Sequence, residues 1–289
     1  MSNTIELAKS FVPKLDECYR LASLTSVLDG APELAKQGAN ANELIIPMMS
    51  MDGLADYSRN GGYVQGGVTM TNETVKCNFD RARRFDVDVM DDLETAGLAF
   101  GRLSAQFIRD KVVPELDAFR FASYCGISGV TKKEETLADG AATVAALSAA
   151  VTAMDDEEVT ATGRYLFITP TLLQGINDMD TTKSKKVLEG FEQVIKVPQR
   201  RFYTAIKQLS GKTGEEAGGY TKAAGAANIN FAIVQKDALI QYTKHAAPKI
   251  IAPENNPDAD AYVFGYRMVG IAKAYKNMLS GMYFSHDKA

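Results

Sequence analysis

The sequence predicts a mixed α+β fold organised around one long helix, and three observations carry that expectation. Two short runs, Val75/Cys77/Phe79 and Phe85/Val87/Val89, alternate apolar residues with Lys76, Asn78, Asp86 and Asp88, which is the period of a half-buried strand. A helical pattern of unusual length follows them. Farther along, strand-like and helix-like segments alternate, and strand character returns near the end of the chain, the mark of a mixed architecture.

Taken from the start of the chain, the first forty residues read as an arm. Ile5, Leu7, Ala8 and Phe11 could form one amphipathic turn before Pro13, and Leu21 to Leu28 is a short apolar piece ending at Asp29-Gly30. Neither has a core of its own, so both are expected to lie on something else. From Ile45 to Met90 the chain is rich in Gly, Asn and Met. Gly53, Gly61, Gly62, Gly66 and Gly67 give backbone freedom while Tyr63, Val64, Val68 and Met70 invite burial, a conflict resolved by a protruding hairpin that packs on another subunit. Asp80 to Arg84 is expected to connect the two alternating runs. Asp91, with Glu94 three residues on, marks a helix start, and Leu93, Ala96, Phe100, Leu103 and Phe107 form one apolar stripe. Pro114 should kink or break this helix; if it resumes through Leu116, Phe119 and Tyr124 it spans roughly 50 Å at about 1.5 Å per residue. A ribbon leading into a rod suits a molecule that joins copies of itself.

Leu137 to Met154 forms a second helical pattern, with Val144, Leu147, Val151 and Met154 on one face. The acids Asp155 to Glu158 that end it lack the spacing of a calcium loop and read as a solvated turn. Tyr165 to Thr169 is a strand stopped by Pro170, Ile229 to Val234 another, and a helix is expected from Lys236 to about Lys244. Lys207 to Thr221 is a polar surface loop with Gly211, Gly214, Gly218 and Gly219. Ile250-Ile251, Tyr262 to Phe264 and Met282 to Phe284 are expected to form one sheet beside the long helix.

Composition narrows the function. The 289 residues carry 46% hydrophobic and 24% charged side chains with a net charge of −4, ordinary for a globular chain and without the basic excess of a protein that grips nucleic acid. The N-terminus has no secretory pattern and no apolar run reaches membrane-spanning length, so no membrane contact is expected. Cys18, Cys77 and Cys125 are odd in number and lack a CxxC pair, which argues against a disulfide framework or zinc site, and Cys77 reads as a buried thiol. Chemical motifs fail at defined positions. Ser210-Gly211-Lys212-Thr213 resembles the end of a phosphate loop, but Ile206 stands where the first glycine belongs. Gly126-Ile127-Ser128-Gly129-Val130 lacks the second glycine of a nucleophile elbow. His245 and His286 have no partner by sequence. No enzyme activity, cofactor or metal is therefore expected, although an α+β enzyme using Lys, Tyr and carboxylates stays open as an alternative.

Several pieces in order resemble the major capsid proteins of tailed bacteriophages, which have the Hong Kong 97-like shell fold. They are Tyr57 to Gly67, Asp80-Arg81 with Phe85 to Asp88, Pro114 to Arg120, Tyr165 to Pro170, Val197 to Tyr203, and the tail from Tyr262 to Phe284. The resemblance implies an N-terminal arm at 1–44, an extended β-hairpin loop at 45–90, a peripheral domain with the spine helix at 91–136, an axial domain at 137–253 and a return to the peripheral sheet at 254–289. It implies a structural, non-enzymatic subunit that forms hexamers and pentamers of an icosahedral head around double-stranded DNA, assembled in the host cytoplasm. Non-specific DNA contact and scaffolding, portal and decoration proteins come with that reading. No long charged helical segment precedes the arm, so a separate scaffold or none is expected. Tyr57, Arg59, Tyr63, Arg81, Arg83 and Arg84 are the candidate interface residues, the three arginines of 81–84 as intersubunit ion pairs. Some shells crosslink Lys to Asn, but nothing here fixes a partner or an acid for Lys76. A nanocompartment shell enclosing an enzyme shares the fold and is the nearer alternative.

Overall fold

The computed structural model describes residues 23–30, 36–37, 43–59, 61–90 and 105–288. The helix start at Asp91, the stripe from Leu93 to Leu103, most of the arm and Cys18 lie outside these residues.

Strands β1 (Lys36–Gln37), β2 (Glu43–Met51) and β3 (Val68–Lys76) form the first sheet in that order. β2 and β3 are antiparallel, from Glu43 opposite Lys76 to Met51 opposite Val68. The ribbon is rooted by Val75 against Ile271, with Cys77, Ile240, Tyr242 and Tyr275 around them. The chain then reverses at Cys77-Asn78. Asn78 acts there like an extra peptide unit: its amide donates to the Ala272 carbonyl at 2.9 Å and its oxygen accepts from the Ala272 amide at 3.0 Å.

β4 (Phe79–Asp88) follows at once, so residues 80–84 are strand and not the expected connection. It pairs antiparallel with β12 (Ala261–Ala274), which pairs with β11 (Leu239–Ile251), giving the order β11-β12-β4. The charged residues of 80–84 are tolerated because β4 is an edge strand with one face in water. The helix expected at 236–244 is instead a single 3-10 turn, Lys236–Ala238, running into β11. Leu239 and Gln241 are buried while Ile240 is only partly covered, a period of two that belongs to a strand.

The rod crosses this sheet. Residues 105–107 are helical, Ile108–Val112 form a π turn, and α1 (Val113–Gly126) continues without a break. Pro114 therefore neither ends nor breaks the helix. It lies inside the continuous helix, directly after the wide turn, the kind of local adjustment that accommodates a residue without an N–H. Ile108, Val113 and Leu116 pack on Phe79, Phe264, Tyr266 and Met268, with Phe107 edge-on to Phe85 at 4.8 Å and Phe119 tilted on Phe79 at 4.9 Å. Farther along, Phe121 meets Phe167 at 5.1 Å and Phe202 at 4.7 Å. One helix thus belongs to two cores.

The second core is covered by a five-stranded sheet, β5 (Thr131–Glu134), β13 (Met282–His286), β10 (Ile229–Gln235), β6 (Arg164–Ile168) and β7 (Gln193–Lys196), in that spatial order. β6 and β10 are buried along their whole length. Tyr165, Phe167, Ala232 and Val234 face α1, and Leu166, Ile168, Phe231 and Ile233 face a helical layer on the other side. That layer is α2 (Gly140–Asp156), α3 (Pro170–Asp178) and α4 (Thr182–Glu189). Asp139 caps α2 by accepting from the Ala142 amide at 2.8 Å, and Thr181 and Ser184 form a reciprocal capping box on α4. α2 meets α3 at two glycines: a Cβ on Gly140 would sit 2.1 Å from the Gly175 carbonyl oxygen. β13 lies between β5 and β10, so residues 282–284 do not join β11 and β12 as expected. Their apolar side chains pack on both faces of the five-stranded sheet, Met282 and Phe284 toward α1 and Tyr283 toward the helical layer.

Candidate functional site

The far end of the β2–β3 ribbon is closed by short-range bonds. The Asp52 amide donates to the Gly67 carbonyl at 3.1 Å and the Gly67 amide to Asp52 Oδ2 at 2.7 Å. At the tip, Ser58 and Gly62 bridge, with the Gly62 amide donating to the Ser58 carbonyl at 2.7 Å. Gly62 has φ of +73°, a conformation glycine supplies without steric cost. This turn brings the Tyr57 and Tyr63 rings to 5.1 Å and leaves Arg59 exposed beside them. Tyr63 is 91% exposed and Leu54 fully so, and Met49, Met51, Tyr57, Val64, Val68 and Met70 are also exposed. Eight large apolar side chains on a two-stranded ribbon have no cover within the described residues.

The three arginines of 81–84 have partners inside the chain. Arg81 bridges three elements: its Nε pairs with Glu115 of α1 at 2.8 Å and its Nη2 donates to the carbonyls of Leu209 and Gly219. Arg83 donates to the Glu216 carbonyl at 2.8 Å, and Arg84 pairs with Asp86 at 2.8 Å where both are half-exposed. The loop they hold joins β8 (Ile206–Gln208) to β9 (Tyr220–Lys222). It has a conformation of its own rather than being only a polar link. Gly211 and Gly218 have positive φ, and a Cβ on Gly211 would stand 2.9 Å from Arg83 Nη1. Within the loop, Glu215 pairs with Lys207 at 2.6 Å and accepts from the Ser210 amide at 2.7 Å; these contacts lower its carboxyl to about 2. Burial pushes the Glu115 carboxyl up, against the opposing pull of Arg81.

A second cluster, not foreseen from the sequence, ties the segment before β1 to the rod. Asp117 is fully buried. It accepts from Ser23 Oγ at 2.9 Å, Thr25 Oγ1 at 2.7 Å, the Leu24 and Thr25 amides at 3.2 and 3.3 Å, and Arg201 Nη1 at 3.2 Å. One turn on, Arg120 donates to Thr25, Asp29 and Thr243, while Tyr124 donates to Gln241, which itself donates to the Thr25 carbonyl. The available signal was an Asp and an Arg three residues apart, among Leu116, Ala118 and Phe121, on a face that should be apolar.

The other sequence candidates have structural roles. Asp155 of the acidic run pairs with buried Arg164 at 2.7 Å, and His245 is exposed on the bulged part of β11. No described group of three or more His, Cys, Asp or Glu is placed to hold a metal. Among described helices, none is long and apolar enough to cross a membrane. Cys77 is half-buried rather than buried, and Cys125 is buried, which raises its thiol to about 11. Since the thiolate is the reactive form, Cys125 should resist alkylation at about pH 8 and react only after denaturation. Peptide mapping by mass spectrometry reads this, with Cys77 as the internal comparison.

No family model matches the chain, and no curated protein matches it in sequence. Solved structures do match. A virus-like particle from Pyrococcus furiosus superposes with a TM-score of 0.60 at 10% identity, covering 96% of this chain and 98% of that one. The capsid of cyanophage P-SCSP1u gives 0.54 at 12% identity over 87% and 85%, and the capsid of Myoviridae phage XM1 gives 0.53 at 8% over 86% of each. Matching these shells over at least 86% of its length, the chain has the fold of phage capsid proteins.

Proposed function

We propose that this chain is the structural subunit of an icosahedral phage head, assembling through hexamers and pentamers around double-stranded DNA in the host cytoplasm. The observation that carries this reading is the uncovered apolar ribbon. Fully burying one large apolar side chain contributes about 1.5–3 kcal/mol, so eight of them on one exposed ribbon favour strong association with other copies. Heterologous contacts of this kind close into rings, and several weak contacts per subunit add up through avidity. Tyr57, Arg59 and Tyr63 are proposed to touch the neighbour directly. Arg81, Arg83 and Arg84, engaged within the chain, are proposed to shape the surface that a neighbour meets. Scaffolding, portal and decoration proteins and non-specific DNA contact belong to the same proposal, as does the division into arm, extended loop, peripheral and axial domains.

Deleting residues 53–67 should leave a soluble, folded chain that forms no closed particles. Size-exclusion chromatography with negative-stain microscopy measures this, and normal particles from the deletion would remove the ribbon from the mechanism. The match to a virus-like particle favours a second reading, a shell whose cargo is not DNA. Nuclease-protected nucleic acid inside purified particles distinguishes the two.

A further inference from the structure

An open cleft of about 1270 Å³ lies between β4, the rod and the β8–β9 hairpin, lined by seven arginines and lysines against two carboxylates. Arg81, Arg83 and Arg201 on its walls have partners within the chain. Lys111 and Arg200 are exposed and pair with no acid among the described residues. The floor is apolar, with Phe79, Phe85 and Phe107.

The opposite charge collects at one end of the same sheet. The turn from β11 to β12 carries Glu254, Asp258 and Asp260 with no lysine or arginine between Ala252 and Ala261; all three acids are exposed and form no direct ion pair among the described residues, with Asp258 in electrostatic reach of Arg84. Asp88 of β4, opposite Ala261, adds a further carboxylate at this end. Along β4, Arg81 lies seven steps from Asp88, about 24 Å at ~3.4 Å each, and Phe85 at the near edge of the cleft lies three steps away, about 10 Å. The paired strands of β4, β12 and β11 hold that separation fixed. Among the described residues no acid of the turn forms an ion pair with a base of the cleft of its own chain.

Resting on the shell reading, we propose that the 254–260 turn of one copy docks into the Lys111/Arg200 cleft of a second copy, a head-to-tail contact that fixes neighbour orientation. Such a contact is heterologous, the class that generates rings, and charge complementarity of this sort sets register and encounter rate more than bulk affinity.

Charge reversal tests it on the full chain. One variant carries Glu254→Lys, Asp258→Lys and Asp260→Lys, a second carries Lys111→Glu and Arg200→Glu, and a third combines all five. Thermal unfolding verifies that each is folded, and particle yield is measured by size exclusion and negative stain. At low salt each one-sided variant should assemble about tenfold less than the parent, the equivalent of ~1.4 kcal/mol, and the combined variant should return to near the parent yield. Unchanged yield with the reversed turn overturns the proposal, as does a combined variant no better than either half. Loss on reversing only the cleft, accompanied by loss of bound nucleic acid, also overturns it and assigns the cleft to a polyanion. If the parent chain itself forms no particles, the shell reading falls; if it assembles but the swap fails to compensate, only this contact falls.

Discussion

Alanine at Gly140 should lower the unfolding midpoint of the unassembled chain by roughly 6–9 °C, from an overpacking penalty of about 3 kcal/mol at ~2–3 °C per kcal/mol for a chain of this size. The new Cβ would lie 2.1 Å from the Gly175 carbonyl oxygen and 2.7 Å from its carbon. Both are backbone atoms, which no rotamer change can move aside. Gly140 is also the first residue of α2, beside its Asp139 cap, so relief requires shifting the helix start or separating α2 from α3. The partner glycine supplies the contrast. A Cβ on Gly175 would sit 3.5 Å from the Gly140 nitrogen, an ordinary contact, and alanine is the better helix former by roughly 0.5–1 kcal/mol. Gly175→Ala should therefore be neutral or slightly stabilising. Equal effects from the two substitutions in a calorimetric or circular-dichroism melt would show that α2 and α3 do not cross at this distance.

Asp117→Ala should cost about 3–5 kcal/mol, the usual consequence of removing one member of a buried charged pair. Arg201 would lose its carboxylate partner, and Ser23 and Thr25 would each lose a hydrogen-bond acceptor. Asp117→Asn keeps the shape but points an amide at donors, the Leu24 and Thr25 backbone N–H groups among them, and should recover only part of the loss. Chemical denaturation gives the size of the effect. Amide exchange gives its place: protection should fall first at residues 23–29 while β6 and β10 keep theirs. Protection unchanged at 23–29 would mean that the segment is held by Leu28 in the core rather than by this carboxylate.

The glycine-rich stretch was legible as a projecting hairpin and the helix through Leu116, Phe119 and Tyr124 as a rod. Val75 to Phe79, however, read as one strand, whereas the chain reverses at Cys77-Asn78 between β3 and β4, which lie in different sheets. β6 and Pro170 were equally legible, a five-residue apolar run closed by a residue that starts the next helix. The misreadings have separate causes. Asp80 to Arg84 lies in an edge strand whose outer face is in water, and nothing local distinguishes that from a turn. Lys236 to Lys244 contains Lys, Asp, Ala and Leu in helix-like proportions, yet pairing with β12 overrides propensity. β13 could not be assigned to its sheet because partner choice depends on contacts across the whole chain. The Asp117 cluster was hidden for the same reason: its donors lie more than 80 residues away on both sides. Of the six interface candidates, the tip residues were legible as exposed aromatics in a glycine-rich stretch. The roles of Arg81 and Arg83 beneath a glycine loop required coordinates.

The wide turn at Ile108–Val112 resets the faces of the rod. The Val113 amide donates to the Ile108 carbonyl, five residues back, so this stretch holds one residue more than α geometry needs. One surplus residue offsets the helix faces on its two sides by about 100° from the register that an unbroken α-helix would give them. Downstream, Phe121 and Tyr124 stay locked in the second core. One end of the rod thus meets β4 and β12 on a face reset by that surplus residue, while the other stays bolted into the five-stranded layer.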